Sequence, residues 1–345
     1  MRLISKFALL RVGCQIAWVT LAFALGASVA TAQGQPAASP GGSVEQLTAM
    51  LQAIDPYCPG ASVSRPVTVF GSTSMDALAH GWAGGFKNFH PESQVEVLAA
   101  GTDKLAELFQ RHPAGIAMVS RPVLGAELEQ LRKAGLKQPV AFMVAREALG
   151  VFVHESNPVS SISGEQLRQV FTTGGQPGAL KWSLLGATGE WANRPIDIIA
   201  RTENSGTQRF LSDYVFNGAS IRPGISEHVS NAEVLRTVSR DPQAIAICGY
   251  RSAGSSVKPL PLAFGTELIP CDDHSVLSGH YPLTRPMSLV IDLGQTGPQA
   301  TASQELVRYA LCQAGQTQAI LVGLFPVDLP LLRAGLETLN AVPAH

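Results

Sequence analysis

Residues 196–216 read IDIIARTENSGTQRFLSDYVF, and the parsing of this stretch decides the fold. Ile196 to Ala200 is a short apolar strand, Arg201 stands at its end, and a polar turn leads into a helix starting at Ser205. Ser205 and Gln208 lie three apart, just ahead of apolar Phe210, Leu211, Tyr214 and Val215, which is the pattern of a capping box. A helix start leaves backbone N–H groups unpaired and carries partial positive charge. Gly206 admits a ligand close to that backbone, while Ser205 and Thr207 add hydroxyls. Arg201 supplies a planar fork suited to an oxyanion. Together these parts make an anion cradle.

The same arrangement recurs upstream. Val67 to Phe70 is a strand followed by Gly71-Ser72-Thr73-Ser74-Met75. Met75, Leu78, Ala79, Trp82 and Phe86 then fall at helical spacing. Val95 to Ala99 is a second strand ending in Gly101-Thr102-Asp103, with Leu105, Leu108 and Phe109 marking the next helix. Gly115 to Val119 is a third, ending in Ser120-Arg121-Pro122. Serine and threonine are common structural caps, so one such end means little. Several strands that each run into a hydroxyl suggest a shared site beyond their carboxyl ends, where open α/β sheets bind ligands.

Further along, Val140 to Val144 and Leu149 to His154 are expected as two strands crossing into a second region. Ser163 to Phe171 and Ser230 to Arg240 are helices opened by capping boxes, Ser163 with Gln166 and Ser230 with Glu233. Ala244 to Cys248 and Ser288 to Asp292 are strands, and Ser303 to Ala314 is a helix.

The 345 residues, 46% hydrophobic and 15% charged, suffice for two domains with sizeable cores. Arg2, Lys6 and Arg11 precede an apolar run from Ile16 to Ala27, and Ala30-Thr31-Ala32 has the small-x-small form of a cleavage site. Residues 1–32 are therefore expected to be a signal peptide, followed by a flexible leader over Gln33 to Ser43 within an N-terminal segment, 33–62. Removing residues 1–32 leaves 22 basic and 26 acidic residues, a net charge of −4. That mild acidity argues against nucleic acid as a partner. Cys58, Cys248, Cys271 and Cys312 have no zinc-site spacing, and their pairing is left open. No metal or cofactor is expected. Catalysis is not expected either, because no histidine lies in the candidate loops to activate Ser72 or Ser205. His80, His90, His112, His154, His228 and His274 are expected at the surface or on loop edges.

Several segments carry a family likeness: GSTSMDALAHGWAGGF (71–86), IAMVSRPV (116–123), FVHESNPVSSISGEQLRQVF (152–171), WANRPI (191–196), ARTENSGTQRF (200–210) and YPLTRPMSLVI (281–291). In this order, over roughly Val67 to Val327, they resemble the periplasmic phosphate-binding proteins, the substrate-binding components of phosphate ABC transporters. The resemblance implies an α/β, two-lobed type II periplasmic binding protein fold with two crossovers between lobes. Lobe 1 would comprise residues 63–146 plus 255–345, and lobe 2 residues 147–254. It further implies a monomer in the periplasm that binds inorganic phosphate and delivers it to a membrane permease. The alternative is a sensor or binder of another oxyanion or a phosphorylated small molecule.

Carried over residue by residue, the phosphate-binding set implied by the resemblance is Ser72, Thr73, Thr102, Ser120, Arg201, Ser205, Gly206 and Thr207. Two departures bear on it. The second loop reads Ala99-Ala100-Gly101-Thr102-Asp103, where the family commonly has Gly-Ser-Gly-Thr-Gly. Arg121 stands where the best-known members have the aspartate that accepts the proton of hydrogen phosphate. Asp103, then Glu203, then Asp76 are the candidates to replace that aspartate. Arg121 either touches the anion or bridges the lobes as they close.

Overall fold

A computed structural model describes residues 41–102, 105–173, 180–203, 205–252, 254 and 256–341. The expected signal peptide, most of the leader and Asp103 lie outside the described residues. The strands are β1 (Val67–Gly71), β2 (Val95–Leu98), β3 (Ile116–Val119), β4 (Pro139–His154), β5 (Ile162–Ser163), β6 (Asp197–Arg201), β7 (Ser226–His228), β8 (Ala244–Gly249), β9 (Val257–Pro259), β10 (Leu262–Phe264), β11 (Glu267–Ile269) and β12 (Thr284–Asp292). The helices are α1 (Gly41–Ala53), α2 (Asp76–Lys87), α3 (Leu105–Arg111), α4 (Gly125–Lys133), α5 (Gly164–Phe171), α6 (Gly206–Phe210), α7 (Asn231–Val238), α8 (Asp273–Leu277), α9 (Pro298–Leu311), α10 (Gln313–Leu321) and α11 (Leu329–Asn340).

Among the described residues, one sheet runs β2-β1-β3-β12-β4-β8-β6-β7, with β9 also paired to β4. β1, β2 and β3 are parallel, as are β6, β7 and β8, while β4 and β12 run antiparallel to their neighbours. β1, β3 and β8 are buried along their whole length, as expected of apolar strands covered on both faces.

Among the described residues four sets of apolar side chains pack on this sheet, and the two largest form its main cores. The first joins Val69, Met118, Trp82, Phe86, Leu289 and Leu306 around β1, β3 and β12. The second joins Val151, Trp182, Phe210, Leu211, Ile198 and Ile247 around β4, β6 and β8. The result is the mixed α/β, two-lobed architecture expected from the sequence.

β4 is the seam between the two cores. Nine of its first ten residues pair with β12, Val144 falling at a bulge, and from Leu149 onward it pairs with β8. The two strands expected over 140–144 and 149–154 are thus one. The reason is the partner: Ala145, Arg146, Glu147 and Ala148 stay extended because Met287, Pro286, Arg285 and Thr284 lie opposite them.

Local signals also met tertiary context. The capping boxes of α5 and α7 form as expected. The leader expected to run to Ser43 is already helical from Gly41, and Leu47 is buried against the second core. The helix expected over 303–314 begins at Pro298 and breaks at Cys312 before α10. His90, expected near the surface, is buried, where its Nε2 meets the Tyr57 hydroxyl at 2.7 Å. No helix of the described residues is long and apolar enough to cross a membrane.

Candidate functional site

The site is assembled where strands from the two cores end. β1 closes at Gly71, which has φ +118°; a Cβ there would lie 2.5 Å from the Met118 carbonyl oxygen. Only glycine lets the chain turn so tightly against β3. The Ser72 N–H then bonds the Met118 carbonyl at 3.0 Å. The Ser72 side chain caps the following turn by accepting from the Ser74 N–H at 3.2 Å, and it donates to the Ser120 Oγ at 2.7 Å. So the exits of β1 and β3 are joined through their serines.

The start of α6 meets the same point from the other core. A Cβ on Gly206 would lie 2.1 Å from Ser120 Oγ, 3.1 Å from Ser74 Oγ and 3.2 Å from Ser72 Oγ. The backbone of Gly206 therefore sits directly against three serine hydroxyls, and no side chain fits between. Ser205 is the N-cap, its Oγ accepting from the Gln208 N–H at 3.2 Å. The expected capping box is only half formed, because the Gln208 amide turns to donate to the Arg201 carbonyl at 2.9 Å. After five residues the helix widens into a π-turn over Leu211–Val215.

Two guanidiniums lie behind the hydroxyls. Arg201 is 8% exposed; its Nη1 donates to Asn231 Oδ1 at 2.9 Å and its Nη2 to the Val229 carbonyl at 2.7 Å. Its Nε is buried without a hydrogen-bond partner among the described residues, as is the Ser74 Oγ. Burial pulls the Arg201 guanidinium below its ordinary pKa; the Glu147 carboxylate opposes that shift and the Arg285 cation adds to it.

Arg285 is fully buried. It stands opposite Glu147 in the β12–β4 register and grips Glu147 Oε2 through Nε at 2.8 Å and Nη2 at 2.5 Å. Its Nη1 donates to the Ser120 carbonyl at 3.1 Å and its Nη2 to Thr207 Oγ1 at 3.0 Å. One cation thus holds a backbone group after β3 and a hydroxyl of α6. Ser72, Ser120, Ser205 and Thr207 are each no more than 2% exposed. Two surface hollows of about 460 Å³ lie elsewhere, one lined by Ile198, Arg222 and Asp241, the other by Glu203, Arg209 and Glu227.

Of the residues expected at the site, Ser72, Ser120, Ser205, Gly206 and Thr207 come together; Arg201 is tied to α6 through its carbonyl, which accepts from Gln208, and its guanidinium interacts electrostatically with Glu147 and Arg285. Thr73 is exposed and Thr102 half-buried. The Thr102 loop does lie against the β1 exit, the Gly101 N–H bonding the Gly71 carbonyl at 2.8 Å. Arg121 is engaged by Glu127 in a two-pronged pair, Nη1 to Oε2 at 2.9 Å and Nη2 to Oε1 at 2.6 Å. Glu203 is exposed. Asp76 pairs with His80 at 3.6 Å across one helical turn near the surface.

Sequence reasoning missed Ser74, Glu147, Asn231 and Arg285. A signal existed for two of them: Glu147, with Arg146, interrupts an apolar run, and Arg285 stands two residues before the mainly apolar stretch 287–291. Arrayed like this, hydroxyls, helix-start amides and guanidiniums form a buried, donor-rich cluster, the chemistry that replaces the water shell of a small anion. Replacing Gly206 with alanine drives a methyl group into Ser120 Oγ. With overpacking worth about 1–3 kcal/mol, the affinity for the anion should fall roughly 10- to 100-fold, measured by calorimetry.

A profile of the PBP superfamily domain matches residues 27–314. The phosphate-binding protein PstS of Pseudomonas aeruginosa is 25% identical over 305 residues, 87% of this chain and 94% of that protein. A possible phosphate-binding protein from Planctomyces limnophilus superposes with a TM-score of 0.65 at 20% identity, covering 81% of this chain and 99% of its own. An ABC-type phosphate transport receptor from Vibrio cholerae gives 0.61 at 21% identity, with 76% and 100% covered.

Proposed function

Because the chain belongs to the PBP superfamily, we propose that it is a periplasmic binding protein that captures inorganic phosphate and delivers it to the membrane permease of an ABC transporter. The observation that carries this is the meeting of Ser72, Ser74 and Ser120 with the backbone of Gly206, from strands that belong to different cores. The similarity to proteins named for phosphate binding and phosphate transport supports the choice of ligand.

In this proposal the lobes are residues 63–146 plus 255–345 and residues 147–254, and residues 1–32 direct export. Phosphate gives up water and takes donors from Ser72, Ser74, Ser120, the Gly206 and Thr207 amides, the Thr207 hydroxyl and Arg201. It exchanges the Ser72–Ser120 hydrogen bond for bonds to its own oxygens. Arg285 keeps Ser120 and Thr207 in place from behind. Thr73 and Thr102 stand at the edge of the same loops and complete the contact set as the lobes close, a hinge motion of a familiar kind. Burial of every central group favours an inorganic anion over a phosphorylated organic molecule. The protein acts as a monomer and binds without turnover, in keeping with its similarity to proteins named for phosphate binding and transport.

Titration calorimetry on ligand-stripped protein with phosphate, and separately with sulfate, tests the proposal. Phosphate should bind with a measurable heat and raise the thermal midpoint in proportion to its concentration. No heat and no thermal shift with phosphate would refute it.

A further inference from the structure

We infer that Tyr214 is a closure latch that sets how long the anion stays bound. The inference rests on the proposed phosphate site and concerns a residue outside it.

Tyr214 lies in the π-turn that follows α6, and such widened turns often mark functional positions. Its ring stacks on Phe210 with centroids 5.6 Å apart and planes 19° from parallel. Phe210 in turn lies beneath the Arg285 guanidinium, whose Cζ is 5.9 Å from the ring centroid. At its other end the Tyr214 hydroxyl donates to the Pro122 carbonyl at 3.4 Å. Pro122 follows Ser120 and Arg121, so this contact joins the helix packed on the second core to the loop that presents an anion-binding serine from the first.

The receiving side is held rigid. Arg121 also donates to the Pro122 carbonyl, at 3.2 Å, while Glu127 fixes its fork. Glu127 raises the Arg121 pKa above its ordinary value, burial opposes that rise, and Tyr214 adds a smaller one. A continuous stack thus runs from the buried floor of the site, Arg285, through Phe210 and Tyr214 to the half-exposed rim at Pro122. Separating the two cores to release an anion breaks the Tyr214 contact first, because it is the outermost link. The hydroxyl therefore acts on dissociation and leaves encounter untouched.

Tyr214→Phe keeps the ring stack and removes only the hydroxyl. Release of radiolabelled phosphate chased with unlabelled phosphate should become about two- to three-fold faster, the factor set by a long hydrogen bond at the weak end of the usual range. The dissociation constant from calorimetry should weaken by the same factor, so that the association rate derived from the two is unchanged. The thermal midpoint without phosphate should not move. An unchanged release rate, or a weaker affinity that comes from slower association, overturns the latch while leaving phosphate binding intact. Wild-type protein that binds no phosphate overturns both.

Discussion

Replacing Arg201 with alanine should weaken phosphate binding by about 3–5 kcal/mol, on the order of 10² to 10⁴-fold in the dissociation constant. The size follows from burial. At 8% exposure, the guanidinium works in a medium where charge is poorly screened, and its orientation is fixed by Asn231 and the Val229 carbonyl before any anion arrives. Its Nε, buried with no partner among the described residues, is the donor with most to gain from an oxyanion, since a polar group stranded away from water is penalised until paired. Arg201→Lys keeps the charge but loses the fork, and should fall between wild type and alanine. Calorimetry measures the affinities, and urea unfolding without phosphate separates them from stability. Alanine binding as tightly as wild type would mean that the anion is held elsewhere.

How much of this was legible in the sequence follows from the range of each interaction. The strand ends were readable because Ser72, Ser120 and Ser205 each follow an apolar run within a few residues, and local patterning carries that information. The closeness of Gly206 to Ser120 was not, because it depends on how two cores pack. Ser74 was not expected at the site; the turn after Ser72 places its hydroxyl near Gly206 and leaves Thr73 at the exposed edge of the same loop, a rotation that residue type does not encode. Arg121 looked available for an anion until Glu127, six residues on, closed over it. β4 looked like two strands because the charged pair Arg146-Glu147 interrupts its apolar pattern, and only β12 supplies the reason those residues stay extended. Glu147 and Arg285 lie 138 positions apart, so nothing local announces that they face each other.

That pair yields the other large effect. Arg285→Met should destabilise the protein by about 3–5 kcal/mol, because it leaves the Glu147 carboxylate buried with its main partner removed. Urea unfolding should show the loss as a lower midpoint with an unchanged slope. Glu147→Leu alone should do comparable damage by stranding the guanidinium. The double variant, Glu147→Leu with Arg285→Met, should recover much of the loss, since a buried ion pair contributes little net stability beyond apolar side chains of similar size. Phosphate binding should not recover in parallel. Arg285 also donates to the Ser120 carbonyl and to Thr207 Oγ1, and the double variant has no donor to hold either one. A folded protein that still binds weakly would thus separate what the pair does for the site from what it does for the fold. A double variant that sums the two single losses would show that the charges do not act as a pair. One that regains full affinity would remove Arg285 from the positioning of Ser120 and Thr207.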